Sequence, residues 1–211
     1  MPVKHFQKDI FDSLKYAAFE TNKKIPGEIR PQALIALSHY PELRETKIIF
    51  RLRKRKTPLA SRPQVWSVFK KRKNRTYIIT ISTRSSEALT PILFSKLPYN
   101  AQIGVLGHEL GHTRYYSSKN TLQLISLPFK LLKSKNTDAF EFNTDRISIE
   151  HGLGYQLYAW SSYVREVLNI SEWRGASEDL LAEEGPAIDQ RYMNPETITR
   201  YMDSYPIYEN N

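Results

Sequence analysis

The sequence predicts an α+β domain, and three features of the chain lead there. Runs rich in β-branched and aromatic residues lie only in the first half, helical spacing of apolar residues precedes them, and helical spacing resumes after Pro98 and continues to the C-terminus. A length of 211 residues suffices for one hydrophobic core, and no repeat period divides it. Residues 1–211 therefore read as one domain, with N-terminal helices over 1–45, a small, mainly antiparallel sheet over 46–82 and a helical region over 98–211.

The elements follow in order. Phe6, Ile10, Phe11, Leu14, Ala17 and Ala18 recur at intervals of three and four, which predicts an amphipathic helix over 4–22. A second helix fits Pro31 to His39, with Pro31 in its first turn and Pro41 stopping it. Strands are expected at Ile48–Phe50, Val65–Phe69 and Thr76–Ser82. Lys70 to Arg75 separates the last two as a solvated turn, so these are expected to pair as an antiparallel hairpin with a basic tip. Asn100 is positioned to cap a helix running to Tyr115, and a further helix fits Asn120 to Lys133. A third, capped by Asn136 or Thr137, is interrupted at Gly152 and Gly154. Helices at about Tyr155 to Leu168 and from Pro195 complete the order.

Composition narrows the function classes. With 40% hydrophobic and 25% charged residues, disordered and fibrous classes are excluded. The chain has no cysteine, which excludes disulfides, thiolate catalysis and thiolate metal ligands, leaving nitrogen and oxygen donors. The first residues break their apolar pattern with Lys, Gln and Asp, unlike a secretory signal, so a cytoplasmic location is expected. The longest apolar stretch, Leu122 to Leu132, is about half of the roughly 20 residues that a membrane-spanning helix requires, and its sequence fits a core helix, a lid over a cleft or a membrane-resting segment. Between Arg51 and Arg75 lie 11 of the 31 basic residues and none of the 22 acidic ones, so this one segment carries the net charge of +9. Such a cluster suits nucleic acid or an anionic membrane. It also suits a solvated strand edge protected from aggregation, which is the reading favoured here.

The chemistry lies in His108-Glu109-Leu110-Gly111-His112, inside a segment already expected to be helical. Positions i and i+4 share a helix face, so the two imidazoles can hold one zinc ion at about 2.0–2.1 Å. Glu109, a quarter turn away, is placed to take a proton from a water whose pKa the metal lowers. Gly104, Gly107 and Gly111 each cost a helix interior about 0.5–1 kcal/mol relative to Ala, which predicts close packing against another element. A third His at the metzincin spacing is absent, because Tyr115 and Ser118 occupy the required places. Downstream, Glu141 and Asp145 stand at i and i+4 of another helix. Glu141 is the predicted third ligand, with Asp138, Asp145, Glu150 and His151 as rivals, and Asp145 is placed to accept a hydrogen bond from a ligand imidazole, His108 before His112.

With H-E-x-x-H followed by a helix bearing E-x-x-x-D, the sequence resembles the gluzincins, and most of all the single-domain, M48-type minigluzincins. The resemblance rests strictly on the two motifs and more loosely spans Thr76 to His151; the membrane-spanning segments of the integral-membrane relatives have no counterpart. It implies a zincin-like fold and an endopeptidase acting on a peptide or protein substrate. One Zn2+ per chain would be held by His108, His112 and Glu141, with Glu109 as base and Asp145 behind a ligand. It also implies that extended substrate is held along an exposed sheet edge, for which Thr76–Ser82 is the candidate. Near the C-terminus, where related peptidases have H-P followed by Arg, this chain has Asn194-Pro195 and Arg200. Asn194, Arg200, Tyr192 and Tyr201 are thus the candidates for stabilising charge in the transition state. Two other functions remain open from sequence: a nucleic-acid-associated zinc protein using the 51–75 segment, and a zinc-stabilised scaffold without activity.

Overall fold

A computed structural model describes residues 2–170 and 192–209, and everything below concerns these residues. The architecture is α+β, with one four-stranded mixed sheet and several helices. Strands β1 (Lys23–Lys24), β2 (Lys47–Arg53), β3 (Leu59–Pro63) and β4 (Thr76–Ser82) lie in the order β1-β2-β4-β3. β1 pairs with β2 and β2 with β4 in parallel, and only β3 runs antiparallel to β4, so the expectation of a mainly antiparallel sheet is corrected.

The expected hairpin is corrected as well. Val65–Phe69 is a 3-10 turn, and the strand antiparallel to Thr76–Ser82 is Leu59–Pro63. β4 consequently lies inside the sheet, between β2 and β3, and is not the exposed edge. Its neighbour β3 takes that place. Pro63 is compatible with an edge strand, where the missing N–H weakens no ladder on the free side.

The N-terminal segment also departs from expectation. Instead of one helix over 4–22 it forms three short turns, Lys8–Ile10, α1 (Ser13–Tyr16) and Ala17–Glu20. Asp12 starts a new turn by accepting the Leu14 N–H, and Ile10 and Leu14 point into solvent while Phe6, Phe11, Tyr16 and Phe19 pack on the core. Asn100 does not cap a helix. Its side chain instead accepts the Phe6 N–H and donates to the Phe6 carbonyl, both at 2.9 Å, tying this segment to the domain.

The remaining helices lie close to their expected places. They are α2 (Arg30–Ser38), α3 (Tyr99–Ser118), α4 (Thr121–Lys130), α5 (Ser134–Glu150), α6 (Gly154–Val167) and α7 (Pro195–Asp203). Asn120 and Gln123 form a reciprocal capping box at the start of α4. Gly152, at φ +80, ends α5.

Ile48 and Phe50 of β2 with Ile79 and Ile81 of β4 give the sheet one apolar face, and α2 and α3 cover it in a single core. α3 is the central element and packs against α2, α5, α6 and β3. Its glycines permit this. A Cβ on Gly104 would collide with the Gln156 backbone carbonyl of α6, and one on Gly111 would lie 3.0 Å from the Thr144 methyl of α5. None of the described helices is long and apolar enough to cross a membrane.

Candidate metal centre

The helical repeat of α3 brings His108 and His112 to one face, with ring centroids 4.6 Å apart. α5 crosses this face where Gly111 leaves room, and it delivers Glu141 between the two imidazoles. One carboxylate oxygen, Oε2, lies 3.1 Å from His108 Nε2 and 3.1 Å from His112 Nε2. The three candidate donor atoms all lie within 4.8 Å of one another. This is the one such group of three among the described residues.

Each imidazole is held from behind. His108 Nδ1 donates to Asp145 Oδ1 at 2.7 Å, and the other Asp145 oxygen accepts the Met193 backbone N–H at 2.8 Å, just before α7. The hydroxyl of Thr144 donates to the Phe140 carbonyl at 2.8 Å, so its oxygen is left to accept from His112 Nδ1 at 3.1 Å. Both rings thus present Nε2 to the Glu141 carboxylate, as imidazole ligands to a metal are oriented. His108 also packs against Trp160 and Tyr192, which touch each other, and His112 stacks on Phe140.

Burial and charge agree with this arrangement. Burial alone would lower the His108 pKa, but the Asp145 and Glu141 carboxylates outweigh it and raise the pKa from 6.5 to about 10. Burial would raise Glu141, yet its hydrogen bonds to His108 and His112 prevail and hold it well below the carboxylate range. Two nitrogens and one oxygen, with no sulfur, form a donor set that suits a divalent ion. The residues fit a divalent ion.

The chain was compared with protein-family models, curated proteins and solved structures, and none matched.

Glu109 is buried beside this group, and burial raises its pKa. Its Oε2 has no hydrogen-bond partner among the described residues. The neighbouring His112 and His108 rings, and to a lesser extent the Ser61 backbone, partly offset this rise. The rival ligands point elsewhere. His151 meets the Ile147 carbonyl and Glu42, Glu150 pairs with Arg146, Asp145 is engaged by His108, and Asp138 does not belong to the group.

The four C-terminal candidates are dispersed around the site. Tyr192 packs 5.5 Å from His108, centroid to centroid. Asn194 caps α7, its Oδ1 accepting the Thr197 N–H at 2.7 Å. Arg200 and Tyr201 line a groove between α5 and α7, where Tyr201 meets Phe142 edge-on at 5.6 Å. Thr144, Met193 and Ser61 are contributors that sequence reasoning missed. Only Thr144 left a trace, as a β-branched polar residue in mid-helix next to Asp145.

Proposed function

We propose that the chain is a zinc-dependent endopeptidase of the gluzincin type, in which His108, His112 and Glu141 hold the ion and Glu109 is the general base. One observation carries the reading: a buried, proton-hungry carboxylate with an unpartnered oxygen directly follows the first ligand of a His-His-Glu group. The bound ion would supply Lewis acidity, lowering the pKa of water and polarising a carbonyl. Glu109 takes the proton from the attacking water and passes it to the leaving amine, and the upward shift that burial gives its pKa favours taking up that proton. Asp145 and Thr144 keep the imidazoles in the tautomer and orientation that leave Nε2 available.

The substrate edge in this proposal is β3. Pro58 and Gln64 hydrogen-bond to β4, so with a period of two the backbone of Ser61 faces the free side. There the Tyr116 hydroxyl reaches the Ser61 carbonyl at 3.4 Å, and the Ser61 hydroxyl meets Thr113, one turn beyond Glu109, at 2.9 Å. An extended peptide pairing with this edge would run past the base, with main-chain hydrogen bonds giving affinity independent of side chains. Hydrolysis of a quenched fluorescent peptide library by wild type and Glu109→Gln tests the proposal. The variant is expected to retain its metal and to lose about 10²–10⁴-fold in kcat/KM; cleavage at the wild-type rate would remove Glu109 from the mechanism.

A further inference from the structure

α4 and the turn that ends it carry two apolar stripes. Leu124, Leu127 and Leu131 turn inward onto Tyr116, Phe140 and Val68. Leu122, Ile125, Phe129 and Leu132, spaced by three, four and three, form a second stripe that faces solvent, with Leu122 78%, Phe129 71% and Leu132 82% exposed. The 3-10 turn after β3 packs beside this helix, joined by the Thr121 hydroxyl donating to the Val68 carbonyl at 3.1 Å. On that turn Trp66 is 80% and Phe69 65% exposed, with Val65 also outward. Single exposed apolar residues need no explanation, but a contiguous set on two neighbouring elements does.

The charge around this patch has one sign. Residues 46–86 and 110–137 contain no Asp or Glu, and exposed Lys70 and Lys71 follow Phe69 while exposed Lys130 and Lys133 follow the outward stripe. On the far side of the basic turn, Glu42 and Glu45 line a groove with Arg72 and Lys73.

We propose that Val65, Trp66 and Phe69, together with the outward stripe of α4, dock on an anionic phospholipid bilayer, with Lys70, Lys71, Lys130 and Lys133 meeting the headgroups. Aliphatic and Trp side chains enter the boundary between headgroups and acyl chains, while lysines next to them remain with the phosphates. Nucleic acid suits the lysines but offers nothing to the leucines and isoleucine, whereas a bilayer satisfies both. Docking of this kind is peripheral and independent of the metal chemistry.

Vesicle sedimentation tests it, using phosphatidylcholine alone and phosphatidylcholine with a minority of phosphatidylglycerol. Wild type is expected to sediment with the anionic vesicles and not with the neutral ones. Each lysine removed lowers partition about fivefold, so Lys70→Ala, Lys71→Ala and Lys130→Ala combined should lower it on the order of a hundredfold. Trp66→Ser with Phe129→Ser should abolish binding at unchanged circular dichroism. Equal sedimentation with both vesicle types, no sedimentation, or an unaffected lysine variant would overturn the proposal. So would vesicle-independent self-association or DNA retention that the same substitutions abolish.

Discussion

Thr144 shows how much of the centre is decided by single hydrogen bonds. Its hydroxyl proton is committed to Phe140, and this makes its oxygen an acceptor for His112. Thr144→Val keeps the shape and removes the acceptor. It is expected to weaken zinc binding about 10–100-fold, read by competition with a chromophoric chelator, with the fold retained; unchanged affinity would deny Thr144 its orienting role. His108 makes a pH prediction. Its raised pKa means that the metal-free protein carries this proton from pH 6.5 up to about 10, and the stabilisation it lends is complete below 6.5 and lost as pH rises through about 10. Because a ligand nitrogen must be unprotonated, zinc binding in the middle of this window should expel about one proton and tighten as pH rises. Calorimetry in buffers of different ionisation enthalpy measures this; a buffer-independent heat would contradict it. That His108 and His112 share a face, and that Glu141 and Asp145 do, was legible because i and i+4 are fixed by helix geometry; that the two faces meet in one group was not. Thr144 was not, since a mid-helix Thr ordinarily satisfies itself on the carbonyl four residues back, as this one also does.

At the scale of elements, the crossing of α3 over α6 depends on Gly104. Gly104→Ala would force its Cβ into the Gln156 carbonyl, and backbone yields less than a side chain, so a loss of about 1–3 kcal/mol or more is expected in urea unfolding. Gly27→Ala, with open space around it, is the control and should stay within about 0.5 kcal/mol. A Gly104→Ala protein as stable as wild type would contradict the packing described. Helices α2 to α7 were readable from apolar spacing and prolines, because their inward faces repeat regularly, but not from the expected caps: α3 starts after Pro98 and α5 after Lys133, not at Asn100 or at Asn136 or Thr137. The sheet was less so. Val65-Trp-Ser-Val-Phe has a strand's composition but forms a turn whose large residues remain outside, whereas Leu59-Ala-Ser-Arg-Pro looks like a loop and forms a strand. Only tertiary context decides this, since β3 is held by β4 on one side and by the Ser61–Thr113 hydrogen bond to α3. Likewise the regular spacing in 4–22 could not reveal that Asp12 restarts the chain.

For the molecule as a whole, the centre exists only where distant segments meet. His108 and Glu141 are separated by 33 residues, and α3 must be wedged between sheet and helices before α5 can place a carboxylate against it. Parallel pairing of β2 with β4 and the insertion of β4 beside β3 leave no local signal, yet they set β3 against α3, where Ser61 meets Thr113. The same architecture separates the buried ionic centre from the apolar and basic surface of α4 and its neighbouring turn. Elemental analysis of purified wild type, Glu109→Gln and His112→Ala proteins tests the central claim most directly. One zinc per chain in the first two, and a small fraction of that in His112→Ala, is the predicted result. Metal absent from wild type, or retained in full by His112→Ala, would contradict it.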